Sequence, residues 1–215
     1  MENRLIVALD LTDGSKALSL ARSLANYVFA VKVNWPLILG SGSSIISEMS
    51  GFVKVICDFK VADIPNTVRL IVEKTRDLGA YATIVHAFPG GDSLETAVQS
   101  AGGMKIIGVV AMSHPGASQF VNPRRSDLLD IAKKAGVYGI IAPGNNPDLL
   151  GELRAESSGL KIFAPGVGVQ GGSPVEAVRA GADYIIVGRS IYESESPVDE
   201  ARKINDQVSS VSAPQ

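Results

Sequence analysis

The stretch IPNTVRLIVEKTRDLGAYATIVHA, residues 64–87, contains the unit whose reading decides the fold. From Ile64 to Leu78 apolar residues recur at three- and four-residue intervals, the spacing of a helix with one buried face. Gly79 follows where that helix must stop, at the position glycine favours because it enters the left-handed backbone region without a Cβ clash. Ala82 to Ala87 is then a short run with β-branched residues, the pattern of a strand. The same punctuation returns at Gly136 after a helical pattern over Ser126 to Ala135, and at Gly181 after Pro174 to Ala180. Helix, glycine, strand is therefore a repeated unit.

Working outward, strands are expected at Leu5 to Asp10, Phe29 to Asn34, Val53 to Asp58, Ala82 to Ala87, Lys105 to Ala111, Tyr138 to Ala142, Lys161 to Ala164 and Tyr184 to Val187. Further helical patterns cover Ser15 to Tyr27 and Val198 to Val208, and Trp35-Pro36 marks a turn after the second strand. Eight units in 215 residues leave about 27 residues each, close to the minimum for a strand–helix–strand repeat. That count predicts a closed (β/α)8 TIM barrel over residues 1–208 with a polar tail at 209–215. An open doubly wound sheet, the alternative, needs five or six strands and no eighth unit. Nearly continuous apolar strands such as Ile106-Ile107-Gly108-Val109-Val110 fit a parallel sheet covered on both faces.

Composition narrows the function. With 46% hydrophobic and 20% charged residues, the chain is neither disordered nor fibrous. Lys+Arg 20 against Asp+Glu 22 gives a net charge of −2, so no basic excess selects nucleic acid or an anionic membrane. An anionic ligand must be small and met locally. The single cysteine, Cys57, cannot form an internal disulfide, and the start MENRLIVALD lacks a signal-peptide pattern. No apolar run reaches the roughly 20 residues of a membrane span. The expected setting is the cytoplasm.

Barrel enzymes place their chemistry at the C-terminal ends of the strands. The polar residues there are Asp10, Lys32, Asp58 and Lys60, with Asp63 just beyond, and His86 and Ser113 after the fourth and fifth strands. Lys32 lies in an apolar strand, where an ammonium requires a carboxylate partner. Asp58 and Lys60, two apart, leave the strand on one face if the strand persists. Alternating charges would hold each neighbour ionised, and a lysine kept cationic there could protonate a carbanion; an ion-pair cluster capping the barrel is the plainer reading of the same residues. After the seventh strand comes Gly166-Val167-Gly168-Val169-Gln170-Gly171-Gly172, and after the eighth Gly188-Arg189-Ser190. Loops at those two places form the usual phosphate site of this fold, with backbone N–H groups facing the anion and Arg189 adding a charged fork. The literal G-x-G-x-x-G match is a poor dinucleotide fingerprint, since the next acid, Asp183, precedes its strand instead of ending it. Cys57, on the opposite face from Asp58, reads as a core thiol. His86 reads as a hydrogen-bonded strand-end residue, and two distant histidines give no zinc site.

The segment Asp58-Phe59-Lys60-Val61-Ala62-Asp63-Ile64-Pro65-Asn66-Thr67 resembles the signature of the orotidine 5′-monophosphate decarboxylase family. Leu9-Asp10, Lys32, Met112-Ser113-His114-Pro115-Gly116, Ala164-Pro165-Gly166-Val167-Gly168 with Gln170-Gly171-Gly172, and Val187-Gly188-Arg189-Ser190-Ile191-Tyr192 extend the likeness over nearly the whole chain. The resemblance implies loss of CO2 from C6 of orotidine 5′-monophosphate to give UMP, without metal or organic cofactor. It implies Lys60 as proton donor, Asp58 beside the departing carboxylate, and Lys32 and Asp10 on the ribose. Ser113 would bind the pyrimidine, Gln170 would link base and phosphate, and Arg189 would clamp the phosphate beside Gly188. The loop from Pro165 to Ser173, with Pro165 and Gly166 against the substrate, would close over the base. Asp63 and Thr67 would come from the second subunit of a homodimer with shared sites. Two other readings remain: a metal-assisted sugar-phosphate decarboxylase or aldolase, in which Lys60 or Lys32 forms a Schiff base, and a non-catalytic nucleotide-binding barrel.

Overall fold

The computed structural model describes residues 3–211. In chain order the elements are β1 (Leu5–Ala8), α1 (Gly14–Leu24), β2 (Ala30–Asn34), α2 (Trp35–Ser41), α3 (Ser44–Ser50), β3 (Val55–Val61), α4 (Pro65–Asp77), β4 (Ala82–His86), α5 (Gly91–Ser100) and β5 (Lys105–Val109). There follow α6 (Arg125–Ala135), β6 (Gly139–Ile141), α7 (Pro147–Glu156), β7 (Lys161–Val167), α8 (Pro174–Arg179), β8 (Tyr184–Val187), α9 (Arg189–Tyr192) and α10 (Pro197–Ser209). All eight strands are parallel and close in sequence order, β8 pairing with β1. This is the (β/α)8 barrel that the repeated unit predicts. Gly79, Gly136 and Gly181 have φ of 84°, 73° and 111°, the left-handed region in which a Cβ is strained.

Alternation along the strands separates two apolar layers. One set of side chains, including Leu5, Val7, Val31, Val33 and Cys57, packs outward under the helices. The other, including Ile6, Ala8, Ala30, Ile56, Ile84, Val109, Ile141 and Ile186, fills the barrel. The floor of that interior is aromatic: Phe29 lies 4.2 Å from Tyr184, which stacks 4.9 Å from Phe163. Lys54 sits over the Phe29 ring at 4.2 Å. With the floor filled, the C-terminal mouth is the end left to be polar. One strand-step above the inner apolar residues, the same alternation brings Asp10, Lys32, Asp58 and His86 to the mouth on four consecutive strands, facing apolar Val109, Ile141 and Ile186 on the other side.

Several local expectations change, among them the ends of β1 and β5, which stop two residues early at Ala8 and Val109. Trp35-Pro36 opens α2 instead of making a turn, because a proline in the first turn of a helix gives up an N–H that has no partner there anyway. β3 and β7 run three residues beyond their expected ends, through Val61 and Val167. Ser209, assigned to the tail, ends α10; the tail residues 212–215 lie outside the described residues.

Candidate active site

Both strand extensions are register breaks. Between β3 and β4, Cys57 pairs with Thr83 and Val61 with Val85, so Asp58, Phe59 and Lys60 all stand opposite Ile84. Between β7 and β8, Ala164 pairs with Ile185 and Val167 with Val187, so Pro165 and Gly166 stand opposite Ile186. Extra residues bend a strand and re-aim its side chains. The bulges lie on opposite walls of the barrel, and each carries one half of the site.

At the β3 bulge Lys60 has φ of 44°, a left-handed backbone that costs a non-glycine residue about 1–3 kcal/mol. The expected convergence of Asp58 and Lys60 therefore occurs, but through the bulge and not by plain strand alternation. Lys60 Nζ donates to Asp58 Oδ1 at 2.7 Å, and Lys32 Nζ donates to Asp58 Oδ2 at 2.7 Å. Lys32 is also 3.6 Å from Asp10 Oδ1. Asp58 and Lys32 are each 7% exposed. Burial pushes the Asp58 carboxyl up, but the Lys32 and Lys60 charges and their hydrogen bonds outweigh it and hold it below the ordinary 3.8. The cluster thus carries a buried carboxylate, fully ionised at neutral pH, between two ammoniums.

Two further residues of the β2–α2 junction reach this cluster, and the sequence reading missed both roles. Asn34 Nδ2 donates to Asp10 Oδ1 at 2.7 Å. Trp35 Nε1 donates to the Phe59 carbonyl at 3.0 Å, and its ring stacks on Phe59 at 4.6 Å. Asn34 and Trp35 were legible only as strand end and turn, because their targets lie about 24 residues away in sequence.

His86 differs from expectation. It ends β4, but its Nδ1 is buried without a hydrogen-bond partner among the described residues. Its ring leans on Phe88 at 4.8 Å. Burial first, then the Lys60 charge, push its pKa down to about 4 against an opposing pull from Asp58. The imidazole is neutral at pH 7. Cys57 points into the outer layer, and burial together with Asp58 pushes its thiol up to about 12, which leaves it an inert core group.

On the opposite wall, a cavity at the mouth is lined by Asp10, Lys32, Pro165, Gly166, Gln170 and Arg189, with Gly188 at its edge. The glycine loop is internally bonded: Gly168 N–H donates to Gly172 O and Gly171 N–H to Gly168 O, both at 2.8 Å, and Gly172 N–H donates to Gly166 O at 3.1 Å. Those three amides are used within the loop and shape it. A Cβ at Gly172 would stand 2.6 Å from Gly166 O and 2.8 Å from Gly144 O, so only glycine closes this turn. Ser190 Oγ accepts from Val169 N–H at 3.3 Å, tying the loop to α9. Ser113 Oγ donates to Gln170 Oε1 at 3.3 Å across the mouth. The Ser118 to Arg125 segment folds back through Asn122, whose side chain bonds both N–H and C=O of Met112 at 3.0 and 3.1 Å and so fixes the residue before Ser113.

Asp63 and Thr67 stand apart from this group. Asp63 is exposed, its Oδ1 accepting from Ile64 N–H at 2.7 Å, and among the described residues it makes no ion pair with Lys32 or Lys60. Thr67 is half-buried in the first turn of α4. Trp35, Ile64 and Phe88, which follow the C-terminal ends of β2, β3 and β4, are large apolar side chains 45%, 65% and 57% exposed. Asp183 lies at the other end of the barrel, bonded to Arg154, Lys161 and the Ile162 N–H. Among the described residues no three His, Cys, Asp or Glu side chains are grouped to hold a metal ion, and no helix is long and apolar enough to cross a membrane.

Comparison with known proteins matches this geometry to one family. The family model described as orotidine 5′-phosphate decarboxylase / HUMPS matches residues 3–204. Orotidine 5′-phosphate decarboxylase of Thermoplasma acidophilum is 51% identical over 207 residues, 96% of each chain. The Pyrococcus furiosus enzyme of the same name is 47% identical over 95% of this chain and 97% of its own. Among solved structures, the Methanocaldococcus jannaschii orotidine 5′-monophosphate decarboxylase complexed with the inhibitor BMP superposes with a TM-score of 0.91, at 39% identity over 97% of this chain and 99% of that one. The Pyrococcus horikoshii enzyme gives 0.88 at 45% identity over 96% and 100%. With one family model spanning nearly its whole length, the chain belongs to the orotidine 5′-phosphate decarboxylase / HUMPS family.

Proposed function

We propose that the protein decarboxylates orotidine 5′-monophosphate to UMP, with one barrel of residues 1–208 as its working domain. The observation that carries this reading is the Lys60 ammonium held 2.7 Å from a buried, ionised Asp58 whose second oxygen is held by Lys32. The C6–carboxyl bond breaks, CO2 leaves, and the bonding electron pair stays on C6. Lys60 stabilises that carbanion and passes it a proton; water then restores the ammonium. Asp58 stands between Lys60 and Lys32 as a fixed, buried negative charge, and a charge already in place needs no reorganisation as the reaction proceeds. Lys32 and Asp10 contact the ribose hydroxyls. Ser113 and Gln170 hold the base, Arg189 beside Gly188 holds the phosphate, and the segment starting at Pro165 and Gly166 closes above it. Binding energy at the remote phosphate then supports closure and exclusion of water.

The same reading makes the protein a cytoplasmic homodimer. Asp63 and Thr67 complete the neighbouring subunit's site, and the apolar group of Trp35, Ile64 and Phe88 fits a contact between copies. No metal or organic cofactor takes part. Incubation with orotidine 5′-monophosphate in metal-free buffer, following the orotate chromophore, tests the activity: the absorbance is expected to shift to that of UMP, and an unchanged spectrum refutes it. Mixing Asp63→Ala with Lys60→Ala protein tests the sharing of sites. Regained activity is expected, and none in a verified mixed dimer refutes it.

A further inference from the structure

Among the described residues, Trp35 is the one side chain outside the charged cluster that bonds to the backbone between Asp58 and Lys60. Its indole N–H donates to the Phe59 carbonyl at 3.0 Å, and its ring lies stacked on Phe59 at 4.6 Å. That carbonyl belongs to the peptide unit leading into Lys60, whose φ of 44° is unfavourable for a lysine. The register break leaves residues 58–60 opposite Ile84 alone, so regular pairing does not hold the strained peptide on the β4 side. Strain persists only where surrounding contacts over-determine it. Trp35 is well placed to do so because it opens α2 directly after β2, and its neighbours Lys32 and Asn34 fix the same junction onto Asp58 and Asp10.

We propose that Trp35 is a positioning residue: its indole N–H fixes the Phe59–Lys60 peptide so that the Lys60 ammonium stays aimed at the reacting carbon. The side chain acts through the backbone and touches neither the substrate nor the ammonium. The ring packs on Phe59 while the indole N–H is spent on the Phe59 carbonyl, so the two contributions are separable and only the N–H reaches the peptide. The inference rests on the decarboxylase reading for its kinetic arm and is independent of it for its spectroscopic arm.

Trp35→Phe keeps a ring on Phe59 and removes the donor. Loss of one such hydrogen bond is expected to lower kcat about 3- to 10-fold, with KM and UMP affinity within twofold and the same cooperative melting. Wild-type kcat in Trp35→Phe overturns the proposal, as does a loss confined to KM. A wild-type protein with no turnover refutes the activity and leaves the second arm to decide. Trp35 is the only tryptophan in the chain, so intrinsic fluorescence reports this position alone. Lys60→Gly, which relieves the positive φ, is expected to shift the emission of the ligand-free protein; an unchanged spectrum in a folded variant overturns the coupling between Trp35 and Lys60.

Discussion

Lys32→Met isolates the electrostatic logic of the site, because methionine keeps the length of the stem and deletes only the ammonium. Lys32 Nζ is 2.7 Å from Asp58 Oδ2; at an effective dielectric constant of about 20 that attraction is worth about 6 kcal/mol before desolvation. Removing one member of a buried pair typically costs about 3–5 kcal/mol. Lys60 still bonds the other oxygen, and the variant has a second escape, which is to protonate Asp58. From the ordinary carboxyl value of 3.8, protonation costs about 4 kcal/mol at pH 7 but under about 2 kcal/mol at pH 5. The wild-type carboxyl lies below 3.8, so its stabilisation is fully present above that value and is lost only as pH falls through the lower folded one. The deficit of Lys32→Met is therefore expected at about 3 kcal/mol at pH 7, shrinking below about 2 kcal/mol at pH 5. Urea unfolding at the two pH values, with slopes compared to verify two-state behaviour, measures it. Adding Asp58→Asn to Lys32→Met should recover stability at pH 7, since the buried carboxylate that lost its partner is gone and the charges left on Lys60 and Asp10 reach water, their side chains being 44% and 42% exposed. A deficit that is the same at both pH values, or a double variant no more stable than the single one, refutes the reasoning.

Three other outcomes follow from the same geometry. Lys60→Ala should abolish turnover while UMP affinity, measured by calorimetry, stays within a few-fold; binding lost in step with turnover contradicts a separate phosphate station. His86, its pKa lowered to about 4 from 6.5, stays neutral in the fold while the unfolded chain takes up a proton, so it removes stability as pH falls from 6.5 toward 4; His86→Leu should cut the stability difference between pH 7 and pH 5 by about 2 kcal/mol in urea unfolding, and an unchanged difference refutes it. Gly172→Ala, whose methyl would meet two backbone oxygens at 2.6 and 2.8 Å, should weaken UMP binding about 10-fold or more with the barrel's melting nearly unchanged; wild-type affinity refutes it.

The repeated helix–glycine–strand unit was readable from residues 64–87 because its causes are local: apolar spacing, a positive-φ stop and β-branched runs act within about 25 residues. The acidic and basic residues at strand ends were readable for a related reason. In a closed parallel barrel every strand end reaches the same mouth, so a charge at that place in the sequence has one destination. Position along the chain thus gave Asp10, Lys32, Asp58, Lys60 and Arg189 as candidates, and the likeness of their motifs to one family gave the chemistry.

Tertiary structure decided how those residues meet. The bulges in β3 and β7 are defined by pairing with β4 and β8, and a register is a relation between two strands that neither strand's sequence states alone. That is why Lys60 arrives through a left-handed backbone and why the glycine-loop amides bond one another. Trp35 and Asn122 carry no local signal of their roles, since an indole or a carboxamide becomes a support only when folding brings a carbonyl to it. Local periodicity set the barrel and the membership of its mouth; contacts between distant segments set the aim of each group there, because aim depends on distances that only the closed barrel fixes.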